Sequence, residues 1–280
     1  MVQKTSTYSL MTNSANYQST NRDAWNKRVS THLASDFYDV EGWKAGKTSL
    51  NDIELPLLGD VAGKSILHLQ CHFGQDSLSL ARMGAKVTGA DLSDEAIKTA
   101  QQLKQELELD AEFVVSDVLE LIGKLDQKFD MVFTSYGTIG WLPDLNKWAE
   151  VISHYLKPKG KLVFADFHPV VWMFDDAFEK IEFRYFQDEA IVETTTGTYA
   201  DNKAPFEKTE ISWNHGLAEI FHALEGNGLI LKGFEEYDYS PYNCFSGMKK
   251  LDDRKFIIEK HGNKLPLVYS LIAKKLCGFF

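Results

Sequence analysis

A mostly apolar run, Ser65-Ile66-Leu67-His68-Leu69, meets the turn Gln70-Cys71-His72-Phe73-Gly74, and a helix-like stretch follows to Met83. A second run, Lys86-Val87-Thr88-Gly89-Ala90, ends on Asp91. This order predicts strand, tight loop, helix, strand. Free backbone N–H groups at the start of a helix suit an anion. An acid about twenty positions after the loop suits a ribose diol. The stretch therefore predicts the opening of a nucleoside-binding α/β fold. The glycines expected in its loop are mostly missing, and only Gly74 remains.

From there the pattern alternates. Helix is expected over Asp76–Met83 and Asp94–Leu109, the second capped by Ser93 with Asp94 and Glu95 complementing its dipole. Strands are expected at Glu112–Val115, Phe129–Thr134 and Lys161–Phe167, with a helix over Asp144–Leu156 between the last two. Strands alternating with helices, several of them continuous apolar runs, predict a parallel sheet covered on both faces. The alternation then breaks. Phe183–Gln187, Ile191–Tyr199 and Lys208–Trp213 read as antiparallel strands of an insertion spanning 170–215. A helix near Leu217–Leu224 and strands Leu229–Phe234 and Leu265–Ala273 close the chain, with Ser240–Asp253 read as a loop. Before the first strand, Asn21–Val40 has apolar positions at helical spacing, Tyr38–Leu50 reads as a loop, and Asp52–Leu58 as a short helix. Residues 1–20 are polar and expected to be disordered, 21–60 form a helical cap, and 61–280 form the main domain.

The 280 residues carry a formal net charge of −10, which argues against a nucleic-acid backbone as main partner. Three cysteines, Cys71, Cys244 and Cys277, lie too far apart for a zinc spacing and are odd in number, which points to a reducing, cytoplasmic compartment. No apolar run is long enough to span a bilayer, so no membrane partner is expected. The histidines are scattered, and no metal-ligand set is evident.

The series Ile66–Gly74, Val87-Thr88-Gly89-Ala90-Asp91-Leu92-Ser93, Ser116-Asp117-Val118 and Phe129-Asp130-Met131-Val132-Phe133, with the turn Leu156-Lys157-Pro158-Lys159-Gly160-Lys161, resembles the class I S-adenosylmethionine-dependent methyltransferases. The Leu-His-Leu-Gln-Cys-His-Phe-Gly form of the loop resembles a bacterial subgroup of them. That resemblance implies a doubly wound, mainly parallel seven-stranded Rossmann-like sheet with an N-terminal helical cap and a β-rich insertion after the fifth strand. It implies S-adenosylmethionine as cofactor, a small-molecule methyl acceptor, and in-line displacement of the methyl group. The chain departs from the family pattern at three places. His68 stands where an acid is usual, and Gln70 and His72 stand where glycines are usual.

On this resemblance Gln70, Cys71, His72 and Gly74 form the methionyl-side loop. Asp91 accepts the ribose hydroxyls, Asp117 holds the adenine amino group, and Leu92 and Val118 flank the base. Asp117 is nearly as well suited to cap a helix beginning near Val118, and both roles can hold together. Ser135 and Tyr136 open a polar and aromatic loop at the carboxyl edge of the fourth strand, facing sulfonium and acceptor. Tyr136 and His168 are the catalytic candidates, with His168 as general base. The alternative for His168 is a hydrogen-bonded histidine beside Pro169. Arg28 can pair with the cofactor carboxylate if its helix caps the site. Two other functions fit parts of the pattern: an S-adenosylmethionine-binding module without catalysis, and a nicotinamide oxidoreductase, which Gln70 and His72 in the loop disfavour.

Overall fold

The computed structural model describes residues 16–186 and 189–276. Three helices, α1 (Tyr17–Leu33), α2 (Val40–Lys44) and α3 (Glu54–Leu58), precede the sheet. Then strands and helices alternate: β1 (Ser65–Leu69), α4 (Gln75–Arg82), β2 (Lys86–Asp91), α5 (Asp94–Glu106), β3 (Ala111–Val115), β4 (Phe129–Ser135), α6 (Leu145–Tyr155) and β5 (Leu156–Phe167). An antiparallel hairpin, β6 (Ile191–Thr196) and β7 (Glu207–Ser212), follows. The chain returns through α7 (Leu217–Gly226) and β8 (Leu229–Tyr237). A second hairpin, β9 (Met248–Asp252) and β10 (Lys255–Ile258), precedes β11 (Val268–Lys275).

Seven strands form one sheet in the order β3-β2-β1-β4-β5-β11-β8. The pairs from β3 to β5 are parallel, and β11 runs antiparallel to both its neighbours. This is the doubly wound, Rossmann-like sheet that the resemblance implies, and its parallel part is what the alternating pattern predicts. Strand alternation sends Leu67 and Leu69 to a core under α6 and α7, and Ile66 to a core under α2, α3 and α4. Both faces are therefore buried, which is why β1 reads as a nearly unbroken apolar run. Strand order reverses between β1 and β4. A crevice opens there at the carboxyl ends of the strands, flanked by the loops that follow β1 and β4.

Five sequence expectations change. The first helix starts at Tyr17, so residues 17–20 are helical rather than disordered, while residues 1–15 lie outside the described residues. It ends at Leu33 rather than near Val40. The segment read as a loop around Trp43 contains α2, because the Trp43 ring is buried and its Nε1–H donates to Ser79 Oγ at 2.9 Å. The segment read as a loop at 240–253 contains β9, whose alternation is hidden because four of its five residues are exposed. Phe183–Phe186 form no strand, so the insertion has two strands instead of three, and Gln187 lies outside the described residues. Cys277 also lies outside them.

α1 lies over the crevice rather than beside it. Asn21 Nδ2 donates to Ile211 O at 2.8 Å, and Ile211 N donates back to Asn21 Oδ1 at 2.9 Å. A side-chain amide thus pairs with a β7 backbone group as a neighbouring strand would. Arg28 of α1 is hydrogen-bonded to Glu210 of β7. The buried face of α1 includes Asn21, Arg28 and His32, which a search for apolar periodicity undervalues.

Candidate active site

The crevice widens into a cavity of about 1270 Å³ between the β1 and β4 loops, α1 and the β6–β7 hairpin. Gln70, Cys71, His72, Asp91, Leu92, Asp117, Val118, Ser135 and Tyr136 all line it. Gly74 and His168 do not. Gly74 sits at the N-cap of α4 with φ +78°, and a Cβ there would fall 2.8 Å from the Phe113 ring. That close approach makes it a packing glycine rather than a ligand-facing one. His168 is turned to β8 and β11. The backbone N–H of Val170 donates to its Nδ1 at 3.2 Å, and its Nε2 lies 2.9 Å from Glu236. This is the hydrogen-bonded histidine of the alternative reading, away from the cavity.

The β1 loop keeps a glycine-like backbone without the glycines. Gln70 has φ +55° and His72 has φ +50°. Tyr136, at the matching place after β4, has φ +49°. Left-handed backbone at non-glycine residues costs about 1–3 kcal/mol each and persists where surrounding structure enforces it. Hydrogen bonds do so here. Gln70 Nε2 donates to Thr138 O at 2.8 Å, and Tyr136 N donates to Ala165 O at 2.7 Å. His72 N donates to Asp91 Oδ2 at 2.8 Å.

Asp91 ends β2 as the sequence pattern requires. Its second oxygen accepts Ser93 N–H at 2.8 Å. Burial raises its pKa from 3.8 to about 6, against the pull of the backbone N–H groups of Ser93, His72 and Leu92. Asp117 is the turn cap, accepting Leu119 N–H at 2.7 Å, and it also accepts the Tyr17 hydroxyl at 2.5 Å. Tyr17 went unnoticed in sequence because it stands at the edge of the polar N-terminal stretch. His68, at the place of the usual acid, is buried and neutral. Burial lowers its pKa to about 3, and its Nδ1 lies 2.7 Å from Ser77 Oγ.

His72 belongs to a chain of polar groups. Ala200 N donates to Thr198 Oγ1 at 3.1 Å. In one of the two tautomer arrangements open to this chain of groups, the hydroxyl proton goes to His32 Nε2, 2.7 Å away. His32 then carries its proton on Nδ1 and donates to His72 Nε2 at 2.9 Å. His72 in turn carries its proton on Nδ1, which has no protein partner. Burial lowers the pKa of His32 to about 2 and of His72 to about 3, so both rings are neutral. Arg28 lies over the Trp25 ring at 4.6 Å, and Trp25 packs edge-on against His72 at 5.3 Å. Arg28 Nε and Nη1 and Gln70 Oε1 are also buried and unpartnered. These four orphaned atoms border one cavity, whose lining also includes Asn214 and Tyr269 with one buried unpartnered atom each. Buried polar groups are rarely left unsatisfied, so this cluster is a candidate ligand site.

The far end of the cavity is aromatic. Phe37 stacks on Tyr242 at 5.5 Å, Tyr136 meets Tyr242 at 5.1 Å, and Phe167 meets Phe245 at 5.1 Å. Behind Tyr136 sits Glu54, fully buried at 0 % exposure. Tyr136 donates its hydroxyl proton to Glu54 Oε2 at 2.6 Å. Glu54 lies before the first strand, far from any motif, so sequence inspection passes over it. Among the described residues no cluster of histidine, cysteine and acidic groups is arranged to hold a metal.

Residues 66–160 match the family model described as a methyltransferase domain. That stretch, about a third of the chain, is thus similar to a methyltransferase domain. Among curated proteins, a ubiquinone biosynthesis O-methyltransferase of Xanthomonas oryzae pv. oryzae is 32 % identical over 133 residues, 46 % of this chain and 55 % of that protein. The chain thus spans about half the length of the curated relatives it matches. The fold is shared more widely. A geranyl diphosphate C-methyltransferase from Streptomyces coelicolor superposes with a TM-score of 0.60 at 14 % identity, covering 95 % of this chain and all of that one. A SAM-dependent methyltransferase from Methanosarcina mazei gives a TM-score of 0.54 at 20 % identity, covering 80 % of this chain and 99 % of that one. No described helix is long and apolar enough to cross a membrane.

Proposed function

We propose that the protein is an S-adenosylmethionine-dependent methyltransferase acting on a small-molecule acceptor. One observation carries this reading: the orphaned atoms of Arg28, His72 and Gln70 match an α-amino-acid end, and Asp91 stands beside them at the place for a ribose. Arg28 Nε and Nη1, joined by His72 Nδ1 in the tautomer that carries its proton there, are donors suited to a carboxylate. Gln70 Oε1 is an acceptor suited to an ammonium group. In this assignment side chains do the work usually left to backbone amides of a glycine-rich loop. Asp91, held by two N–H groups, receives the ribose hydroxyls. Asp117, Leu92 and Val118 border the base, with Tyr17 closing over it.

When bound, the cofactor supplies an electrophilic methyl on a sulfonium centre. The chain's part is to position, desolvate and stabilise charge. Trp25 and Trp141, packed edge-to-face at 5.4 Å, and Tyr136 present aromatic surface to a cation. α1 and the β6–β7 hairpin close the cavity from above, which supports a covering role for the 170–215 insertion. The cavity of about 1270 Å³ exceeds the usual range of about 300–1000 Å³ for one small ligand, which supports room for a cofactor and an acceptor together. The similarity to ubiquinone biosynthesis O-methyltransferases supports an oxygen acceptor.

Calorimetry with S-adenosylmethionine, S-adenosylhomocysteine and NAD tests the reading. The two sulfur compounds are expected to bind and NAD is not. Binding of NAD alone, or of none of the three, refutes it.

A further inference from the structure

We infer that Tyr136 and Glu54 form a proton-accepting pair for a phenol-type hydroxyl acceptor, Tyr136 touching the acceptor and Glu54 holding the proton behind it. The inference rests on the methyl-transfer reading above. Its own ground is separate and lies at the aromatic end of the cavity.

Tyr136 lines the cavity, whereas Glu54 does not. The phenol oxygen of Tyr136 gives its proton to Glu54 at 2.6 Å and keeps lone pairs to accept one from a ligand. Glu54 is fixed from the other side. Asn51 donates to Glu54 Oε1 through its backbone N–H at 2.5 Å and through Nδ2 at 3.2 Å. The same Nδ2 donates to the Tyr242 hydroxyl at 2.8 Å. A fully buried carboxyl given three donors carries a desolvation cost that packing alone does not require. Tyr136 holds left-handed backbone, φ +49°, which aims its side chain at this carboxyl. The cavity wall beyond it is aromatic, formed by Phe37, Phe167, Tyr242 and Phe245. Flat aromatic walls favour a flat aromatic guest. An aromatic guest whose reactive group meets a tyrosine oxygen backed by a carboxylate is a phenol.

The step balances within the site. The acceptor hydroxyl gives its proton to Tyr136 Oη as the Tyr136 proton passes to Glu54 Oε2. The freed oxygen lone pair forms the new C–O bond to the methyl. The methyl–sulfur bond breaks, and its electrons stay on sulfur as a neutral thioether. No metal or oxidant enters.

The groups facing Glu54 are Asn51 beside it, Tyr136 from the β4 loop, Tyr242 from the loop before β9, Asp76 from α4, and Tyr239. Burial lifts Glu54 to about 7, with Asp76 adding to the rise and the Tyr136 and Asn51 hydrogen bonds opposing it. Arg254, held on Asn51 Oδ1 at 3.2 Å and facing Asp76, partly offsets that acidity. The pair is competent when Glu54 is ionised, so transfer to a phenol should rise with pH through about 7.

The test compares wild type, Glu54→Gln and Tyr136→Phe with two probes, phenol and 4-nitrophenol, using labelled S-adenosylmethionine. A phenol needs the base. 4-Nitrophenol is acidic enough to arrive ionised. With phenol, both variants should lose about 10²–10⁴-fold in kcat/KM and the rise through pH 7. With 4-nitrophenol at about pH 9, both should stay within about tenfold of wild type. Equal losses with both probes overturn the proton role and leave a structural one. A wild type that binds S-adenosylmethionine but methylates neither probe overturns the phenol class. A wild type that does not bind the cofactor overturns the methyltransferase reading itself. A second readout needs no turnover. In equilibrium dialysis at about pH 9, Glu54→Gln should bind 4-nitrophenolate several-fold more tightly than wild type, because a facing carboxylate has been removed. Unchanged affinity overturns the placement of Glu54 behind the acceptor.

Discussion

Cofactor affinity should depend on pH through Asp91. The carboxyl is 9 % exposed and its pKa stands at about 6 instead of 3.8, raised by burial. A ribose diol donates two protons and needs the ionised form. If only that form binds, apparent affinity scales with the ionised fraction. At pH 5 that fraction is roughly one in ten, so Kd should be roughly tenfold weaker than at pH 8. The same group acts on stability. Its folded pKa is raised, so its contribution is fully present below pH 3.8 and is lost as pH rises through about 6. The gap is worth about 3 kcal/mol. Bound cofactor should recover part of that loss above pH 6, making the ligand-induced rise in Tm larger at pH 8 than at pH 5. Calorimetry from pH 5 to 8 in two buffers of different ionisation enthalpy measures both the affinity and the protons released. Asp91→Asn should weaken binding about 10–150-fold at pH 8, the loss of one charge-assisted hydrogen bond, and should abolish the pH trend. A pH trend that persists in Asp91→Asn refutes the assignment, as does a wild-type affinity that is flat between pH 5 and 8.

Three further outcomes follow from the same geometry. Arg28→Lys keeps a cation near Glu210 but loses the planar fork, so S-adenosylmethionine should bind about 10–150-fold more weakly while adenosine, which has no carboxylate, binds as before. Equal losses for both ligands remove the carboxylate role. Gln70→Gly with His72→Gly relieves left-handed strain yet removes two of the orphaned contacts, so cofactor affinity should fall at least about tenfold. Retained affinity in calorimetry would make both side chains mere spacers. Gly74→Ala adds a left-handed penalty of about 1–2 kcal/mol to an overpacking cost of about 1–3 kcal/mol against Phe113 and Ala100. Its Tm should drop by about 4–10 °C, and a smaller change in thermal unfolding means the Phe113 ring yields easily.

The sheet was legible because its central strands, β1 and β4 among them, are buried on both faces and its loops end at fixed edges. Ile66–Leu69 and Phe129–Ser135 announce themselves by composition, and Asp91 and Asp117 by what they terminate. The loop substitutions were equally visible. Sequence showed that glycines were missing at 70 and 72 but not that the backbone stays left-handed there. That follows from hydrogen bonds to Thr138 O and Asp91, which lie 68 and 19 positions away along the chain.

The covering elements were less legible for a physical reason. α1 is held to β7 by polar groups, Asn21 on Ile211 and Arg28 on Glu210, so apolar periodicity underrates it. β9 is largely exposed and shows little alternation. Glu54 and Tyr136 are 82 positions apart, and only the meeting of α3 with the β4 loop makes them a pair. His168 shows the reverse. It stands at the correct strand edge in sequence, but its ring turns toward Glu236. The sequence by itself determined the parallel part of the sheet, the crevice at its carboxyl edge and the acid that ends β2, because strand burial and chain order are local properties. The tertiary structure alone decided which side chains face that crevice, because facing is set by contacts between segments far apart in the chain.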